Sequence, residues 1–284
     1  MVAAARALET HRPDALARDV HAEHFVRASP ASAHWPVRPD QVSRGEADPL
    51  WGRLGRYFGL RTRVLDDFLL REAHGGARQV VLLGAGLDTR ALRLDWPPGR
   101  TVYEIDQEEV LAFKTAVLDG LPPERRAPRS PGTTRVTIAV DLRLDWGGAL
   151  TGAGFDPAAP TAWLAEGLLL YLPAAAERRL VATVDALGAA GSALAYEVKH
   201  GVEAAAVRDS PVYREARERI GVDLLALFDG EPRPDTAADL AGRGWTTAVR
   251  TPFHFTRRHG RGPRPEHQDA LAANRWVFAH KPRG

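Results

Sequence analysis

Residues 79–106, QVVLLGAGLDTRALRLDWPPGRTVYEID, read as a strand, a glycine turn, a helical stretch and a second strand ending in an acid. No other stretch limits the possible folds as strongly. Gln79–Leu83 is a short apolar run of the kind buried on both faces of a parallel sheet. Gly84, Ala85 and Gly86 follow it, and the two glycines let the backbone turn tightly and come close to a ligand. Asp106 stands about twenty residues further on, at the tip of the next strand, where a carboxylate accepts hydrogen bonds from both hydroxyls of a ribose. The unit predicts an α/β fold and a ligand that contains adenosine. An ordinary strand-to-helix turn also produces a lone GxG, so the ligand has to be argued from charge.

A dinucleotide fingerprint has a third small residue three positions after its second glycine, and it leaves the next helix N-terminus free for pyrophosphate. Here that third position is Thr89, and Asp88 is expected in the first turn of the following helix. An acid there suits the helix dipole but repels a diphosphate. This argues against NAD and ATP. S-adenosylmethionine has the ribose and the adenine without phosphate, and its sulfonium and ammonium are tolerated or favoured by a nearby carboxylate. Two rivals stay open: a nicotinamide-dependent oxidoreductase, which shares the strand-turn-strand-acid unit, and a non-catalytic cofactor-binding protein.

The 284 residues are enough for one large domain, and a hydrophobic content of 44% is normal for a globular chain with a real core. A formal net charge of +2, with arginines scattered along the chain, does not point to nucleic acid. The densest basic stretch, Arg257–Arg264, contains Gly and Pro without interleaved aromatics and reads as a solvated loop. The absence of cysteine excludes disulfides and thiolate catalysis, and the ten histidines show neither HxH nor HExxH spacing, so no metal site is expected. Glu9 and Asp14 interrupt the N-terminus early, and no apolar run reaches membrane-spanning length. The expectation is a cytoplasmic protein with a small-molecule partner, and with neither nucleic acid nor membrane among its partners.

Along the chain, residues 3–29 and 50–74 read as helices before the sheet, separated by a proline-rich loop, with Gly75 and Gly76 as a stop. Residues 107–119 read as a helix, Arg135–Val140 as the third strand, Thr161–Ala165 as the fourth and Ser192–Val198 as the fifth. Residues 202–229 read as a helical lid, and Gly244–Arg250 and Asn274–His280 as the last two strands. Each of the first five strands ends in a glycine, acid or polar cluster. In an open parallel sheet ligands sit at the carboxyl ends of the strands, so Gly84, Asp106, Asp141, Glu166 and Glu197–His200 should converge on one edge.

Among these, Asp141 suits an adenine amine, with the following Leu142 N–H reaching a ring nitrogen; an N-cap role is equally open to it. Glu166 sits between two apolar runs, an expensive place for a charge unless a ligand ammonium or an arginine pairs with it. Tyr171, five residues on, is placed to orient a substrate oxygen or simply to pack. Arg61 and Arg63 could clamp a carboxylate, and His200 and His254 are the candidate general bases if the acceptor needs one.

With these motifs assembled, the chain resembles the leucine carboxyl methyltransferase-like family, and within it the bacterial branch of S-adenosylmethionine-dependent, polyketide-type O-methyltransferases. The resemblance runs through RALETHRPDALARDVHAEHFV, RTRVLDDFLL, LLGAGLDTRALRLDWP, YEIDQEEVLAFK, IAVDLRLDW and TAWLAEGLLLYLP. It implies a class I methyltransferase fold: a Rossmann-like seven-stranded sheet, mostly parallel, with its last strand antiparallel. The implied layout is a single domain with a helical cap at 1–74, a cofactor core at 75–200, a helical lid insertion at 201–240 and the final strands at 241–284. By resemblance, S-adenosylmethionine falls on Arg61, Gly84, Asp106, Asp141 with Leu142, and Glu166. Eukaryotic members also use a lysine near the N-terminus; no lysine stands in the corresponding region here, which holds Arg6. Their protein substrate is therefore not carried over, and O-methylation of a carboxyl or hydroxyl group on a small molecule is the expectation.

Overall fold

The computed structural model describes residues 1–125, 130–199, 209–264 and 270–283. Seven strands form one sheet: β1 Gln79–Leu83, β2 Thr101–Asp106, β3 Thr134–Ala139, β4 Thr161–Ala165, β5 Ala193–Lys199, β6 Thr246–Arg250 and β7 Asn274–His280. Their spatial order is β3-β2-β1-β4-β5-β7-β6. The first five strands run parallel, and β7 is antiparallel to both β5 and β6.

β1 and β4 are buried along their whole length, as their unbroken apolar sequences require of central strands covered on both faces. Side chains alternate between the two layers. Val81, Leu83, Tyr103 and Trp163 face one core, while Val80, Leu82, Val102 and Leu164 face the other. Trp163 is fully buried, its ring 6.3 Å from that of Trp146 and 5.3 Å from that of Phe155. The second core is completed by α3, Trp51–His74, whose Leu65, Phe68, Leu69 and Ala73 recur at helical spacing. Gly75 ends that helix, and Gly76 at φ +115° turns the chain towards β1.

The N-terminal region is two helices rather than one. α1, Val2–Thr10, and α2, Ala22–Ala28, are separated where Pro13 removes a backbone donor. Glu9 Oε1 accepts from Leu16 N at 2.5 Å and Thr10 Oγ1 from Asp19 N at 2.7 Å, so the break is held by side chains. Both helices pack with α3 and the helix Pro211–Ile220 in a third core, which caps the sheet edge. The 202–229 stretch is broken as well: Gly221 ends that helix at φ +67°, a one-turn helix Leu225–Leu227 follows, and residues 202–208 lie outside the described residues. Arg257–His259 close the helix Pro252–His259, so the loop expected at 257–264 begins at Gly260. Among the described residues no helix is long and apolar enough to cross a membrane.

Candidate active site

β1 lies between β2 and β4, so the chain leaves it towards one side of the sheet and returns on the other. This is the switch point at which an open parallel sheet leaves a crevice beyond its strand ends. A cleft of about 340 Å³ opens there, lined by Gly84, Ala85, Gly86, Asp88, Glu166 and Gly167 from the strand ends, by Arg6, Leu54, Tyr57, Phe58 and Arg61 from the cap, and by Glu197, Tyr213 and Phe228.

The glycine turn is tightly specified. Gly84 has φ +65°, and a Cβ there would lie 2.9 Å from Leu168 Cδ1. Gly86 has φ +46°, and its N–H donates to Asp106 Oδ2 at 2.6 Å. Asp106 Oδ1 accepts from Gln107 N at 2.7 Å. Each carboxylate oxygen thus takes one backbone N–H and keeps a lone pair for another donor.

Asp88 does not begin a long helix. The helix after the turn, α4, is only Arg90–Arg93, and Asp88 precedes it, accepting from Arg90 N at 2.7 Å and pairing with the Arg90 guanidinium. Burial opposes its ionisation, but Arg90 together with Lys114, Arg6 and Arg93 outweighs that and holds its pKa down to about 2. A single turn cannot supply the aligned dipoles that bind pyrophosphate.

Below the turn, buried charges alternate in a chain. Arg90, fully buried, donates to Asp66 Oδ1 at 2.6 Å and to Glu166 Oε2 at 2.5 Å. Arg93 holds the other side of Asp66 at 2.6 Å. Arg61 pairs with Glu166 Oε1 at 2.8 Å and with Glu197 Oε2 at 2.5 Å, its guanidinium carbon 4.5 Å from the centre of the Phe58 ring. Tyr57 donates to Glu197, and Asn274 donates to both. Burial works against a charged Glu166, yet Arg90 and Arg61 keep its carboxyl below the usual range. Burial, reinforced by Glu197, pushes the Tyr57 hydroxyl far above its ordinary value. Of the two partners open to Glu166, the arginines are the ones it has.

Gly84, Ala85, Gly86, Arg61, Glu166 and Tyr171 therefore meet at one cleft. Tyr171 stands at its mouth, 44% exposed, its ring 5.8 Å from Phe228, and burial of the hydroxyl raises its pKa. Asp106 adjoins the cleft through Gly86. Asp141 and the buried Leu142 follow β3 on the same sheet edge, with Asp141 held by Arg143 N at 2.8 Å and its guanidinium, which lower its pKa.

Arg63 and His254 lie away from this cleft. Arg63 lies two residues after Arg61, about 200° round the helix, and points away from the cleft. It pairs with Asp67 at 2.9 Å on an exposed face and shares a separate depression with His254. His200 lies outside the described residues. Sequence reasoning passed over Arg90, Asp66 and Tyr57. The one signal was Arg90, a charge inside the GAGLDTR motif, between apolar neighbours, that had to find a buried partner.

Strand order, the glycine turn and the cap over the switch point define a class I methyltransferase architecture. A crystal structure of a duf574 family protein from Streptomyces avermitilis superposes with a TM-score of 0.55 at 16% identity, covering 97% of this chain and 99% of that one. A structure from Thermobifida fusca titled as a "putative methyltransferase" gives 0.53 at 16% identity, covering 92% and 94%. At such identities the likeness is one of fold. The leucine carboxyl methyltransferase family model matches residues 1–185, and the chain belongs to that family. A relative from Streptomyces coelicolor named "Putative S-adenosyl-L-methionine-dependent methyltransferase" is 64% identical over 284 residues, covering 100% of this chain and 92% of its own.

Proposed function

We propose that the chain transfers the methyl group of S-adenosyl-L-methionine to a carboxyl or hydroxyl oxygen of a small, largely apolar molecule. Family membership and the named relative support the S-adenosyl-L-methionine-dependent methyltransferase class. The observation that carries the reading is the cleft itself, with glycines and an acid at the strand ends and an apolar extension into the cap. The residues present fit the cofactor. Asp106 retains lone pairs for two ribose hydroxyls, Gly84 and Gly86 keep the turn free of side chains, and Arg61 and Glu166 offer a cation and an anion at the inner end, suited to an amino-acid zwitterion. When bound, the cofactor supplies a methyl on a sulfonium, displaced in line by the acceptor oxygen.

The protein's part is to hold that oxygen and exclude water, and Leu54, Phe58, Val212, Leu224 and Phe228 form the apolar wall that does so. Among the described residues no histidine lines the cleft, and two of its candidates for proton transfer are poorly matched to neutral pH: Tyr57 is held protonated and Glu166 is held ionised between arginines. This favours a carboxylate acceptor, already anionic and in no need of a base. Calorimetric titration of Asp106→Ala with S-adenosylhomocysteine tests the cofactor site. The expected result is at least a tenfold loss of affinity, about 1.4 kcal/mol or more; unchanged affinity would remove Asp106 from the site.

A further inference from the structure

The depression that receives Arg63 and His254 has no part in methyl transfer as read above. It is a cavity of about 500 Å³ between α3, β6, β7 and the helix Pro252–His259. One layer of side chains separates it from the cleft: the Phe255 ring is 5.3 Å from that of Trp276, which lies 6.0 Å from the ring of Tyr57. Its floor is apolar, made by Val64, Phe255 and Phe278.

Its rim is cationic. Arg63, Arg71, Arg250 and Arg258 surround it, and among the described lining residues Asp67 is the single carboxylate. Asp67 is taken by Arg63 at 2.9 Å, and Arg71 has Glu72 at 2.9 Å. Arg250 hydrogen-bonds a backbone carbonyl at 3.2 Å, and among the described residues neither it nor Arg258 has a carboxylate within ion-pair distance. Unpaired guanidiniums over an aromatic floor, in a hollow of ligand size, are what a small organic anion needs.

We propose that this depression is a second binding site, taking a small organic anion whose apolar body rests on Phe255 and Phe278 and whose phosphate, sulfate or carboxylate head sits between Arg250 and Arg258. His254 and His259 border the same space. Burial lowers the pKa of His259, Asp67 opposes that, and Arg63 and Arg258 lower it further. A bound anion favours the charged imidazole, so anion binding and protonation of His259 support one another.

The test is calorimetric titration with phenyl phosphate, and separately with its two halves, inorganic phosphate and phenol. Phenyl phosphate is expected to bind more tightly than either half. The double variant Arg250→Glu/Arg258→Glu is expected to weaken it at least tenfold with an unchanged thermal midpoint, since both side chains lie at the surface. Equal affinity in the double variant would place the molecule elsewhere, the cleft included, and overturn the proposal. Phenyl phosphate binding no better than inorganic phosphate would reduce the site to a diffuse basic patch and overturn it equally.

Discussion

Replacing Arg90 by methionine keeps much of the side chain's length and removes its charge, and the consequence follows from what each of its three carboxylates retains. Asp66 keeps Arg93 at 2.6 and 2.8 Å, and Glu166 keeps Arg61 at 2.8 Å. Asp88 keeps a backbone N–H at 2.7 Å and loses its guanidinium. Breaking a buried pair from one side costs about 3–5 kcal/mol. Asp88 can escape part of that by taking up a proton. From its ordinary pKa of 3.8, doing so at pH 7 costs about 4 kcal/mol, which caps the loss on Asp88's account. At pH 5 the same cap is nearer ~2 kcal/mol. Urea denaturation of wild type and Arg90→Met at both pH values should therefore show a loss of about 3–4 kcal/mol at pH 7 that roughly halves at pH 5. Arg63→Met, which breaks an exposed pair, should cost under about 0.5 kcal/mol at either pH. A loss for Arg90→Met under about 1 kcal/mol at pH 7, or one equal at the two pH values, would show that the network does not depend on this charge.

Gly84→Ala should lower stability by about 1–3 kcal/mol, because its φ of +65° strains any other residue and its Cβ meets Leu168. Adding Leu168→Ala should restore none of the backbone term, and full recovery of the thermal midpoint in the double variant would refute the strain. Asp88 has a folded pKa depressed to about 2, so its contribution is complete above about pH 4 and is lost as pH falls through 2. Wild type should thus lose about 2 kcal/mol more than Asp88→Asn between pH 5 and pH 2, read from urea midpoints. Arg63→Ala with His254→Ala should leave methyl-transfer kcat/KM within about twofold, as expected of surface changes; a tenfold loss would return one of them to the chemistry.

Much of the sheet was legible because its signal is local. β1, β4 and β7 fall residue for residue on the apolar runs read from the sequence, and β3, β5 and β6 differ by one or two positions at their ends. Gly84, Asp106, Asp141, Glu166 and Glu197 do gather at the strand ends, since parallel strands bring their carboxyl ends together whatever the loops do. Local reading failed where a feature depended on a partner far along the chain. The 3–29 stretch has helical periodicity throughout, and Pro13 together with the Glu9 and Thr10 bonds breaks it. Asp88 follows helix-start statistics, but the helix after it is a single turn, Arg90–Arg93, whose first side chain is buried against Asp66.

Sequence by itself determined the strands, the glycine turn with Asp106, and the family, because all three are patterns carried within short segments. Tertiary structure decided which charges meet. Arg90 reaches Glu166 across 76 positions, and Tyr57 reaches Glu197 across 140. Arg61 and Arg63, indistinguishable in the string RTR, part company because two helical steps turn a side chain through about 200°, so one enters a buried network and the other faces water. Pairing of charges is a contact between distant segments in a low-dielectric interior, and no local pattern encodes it.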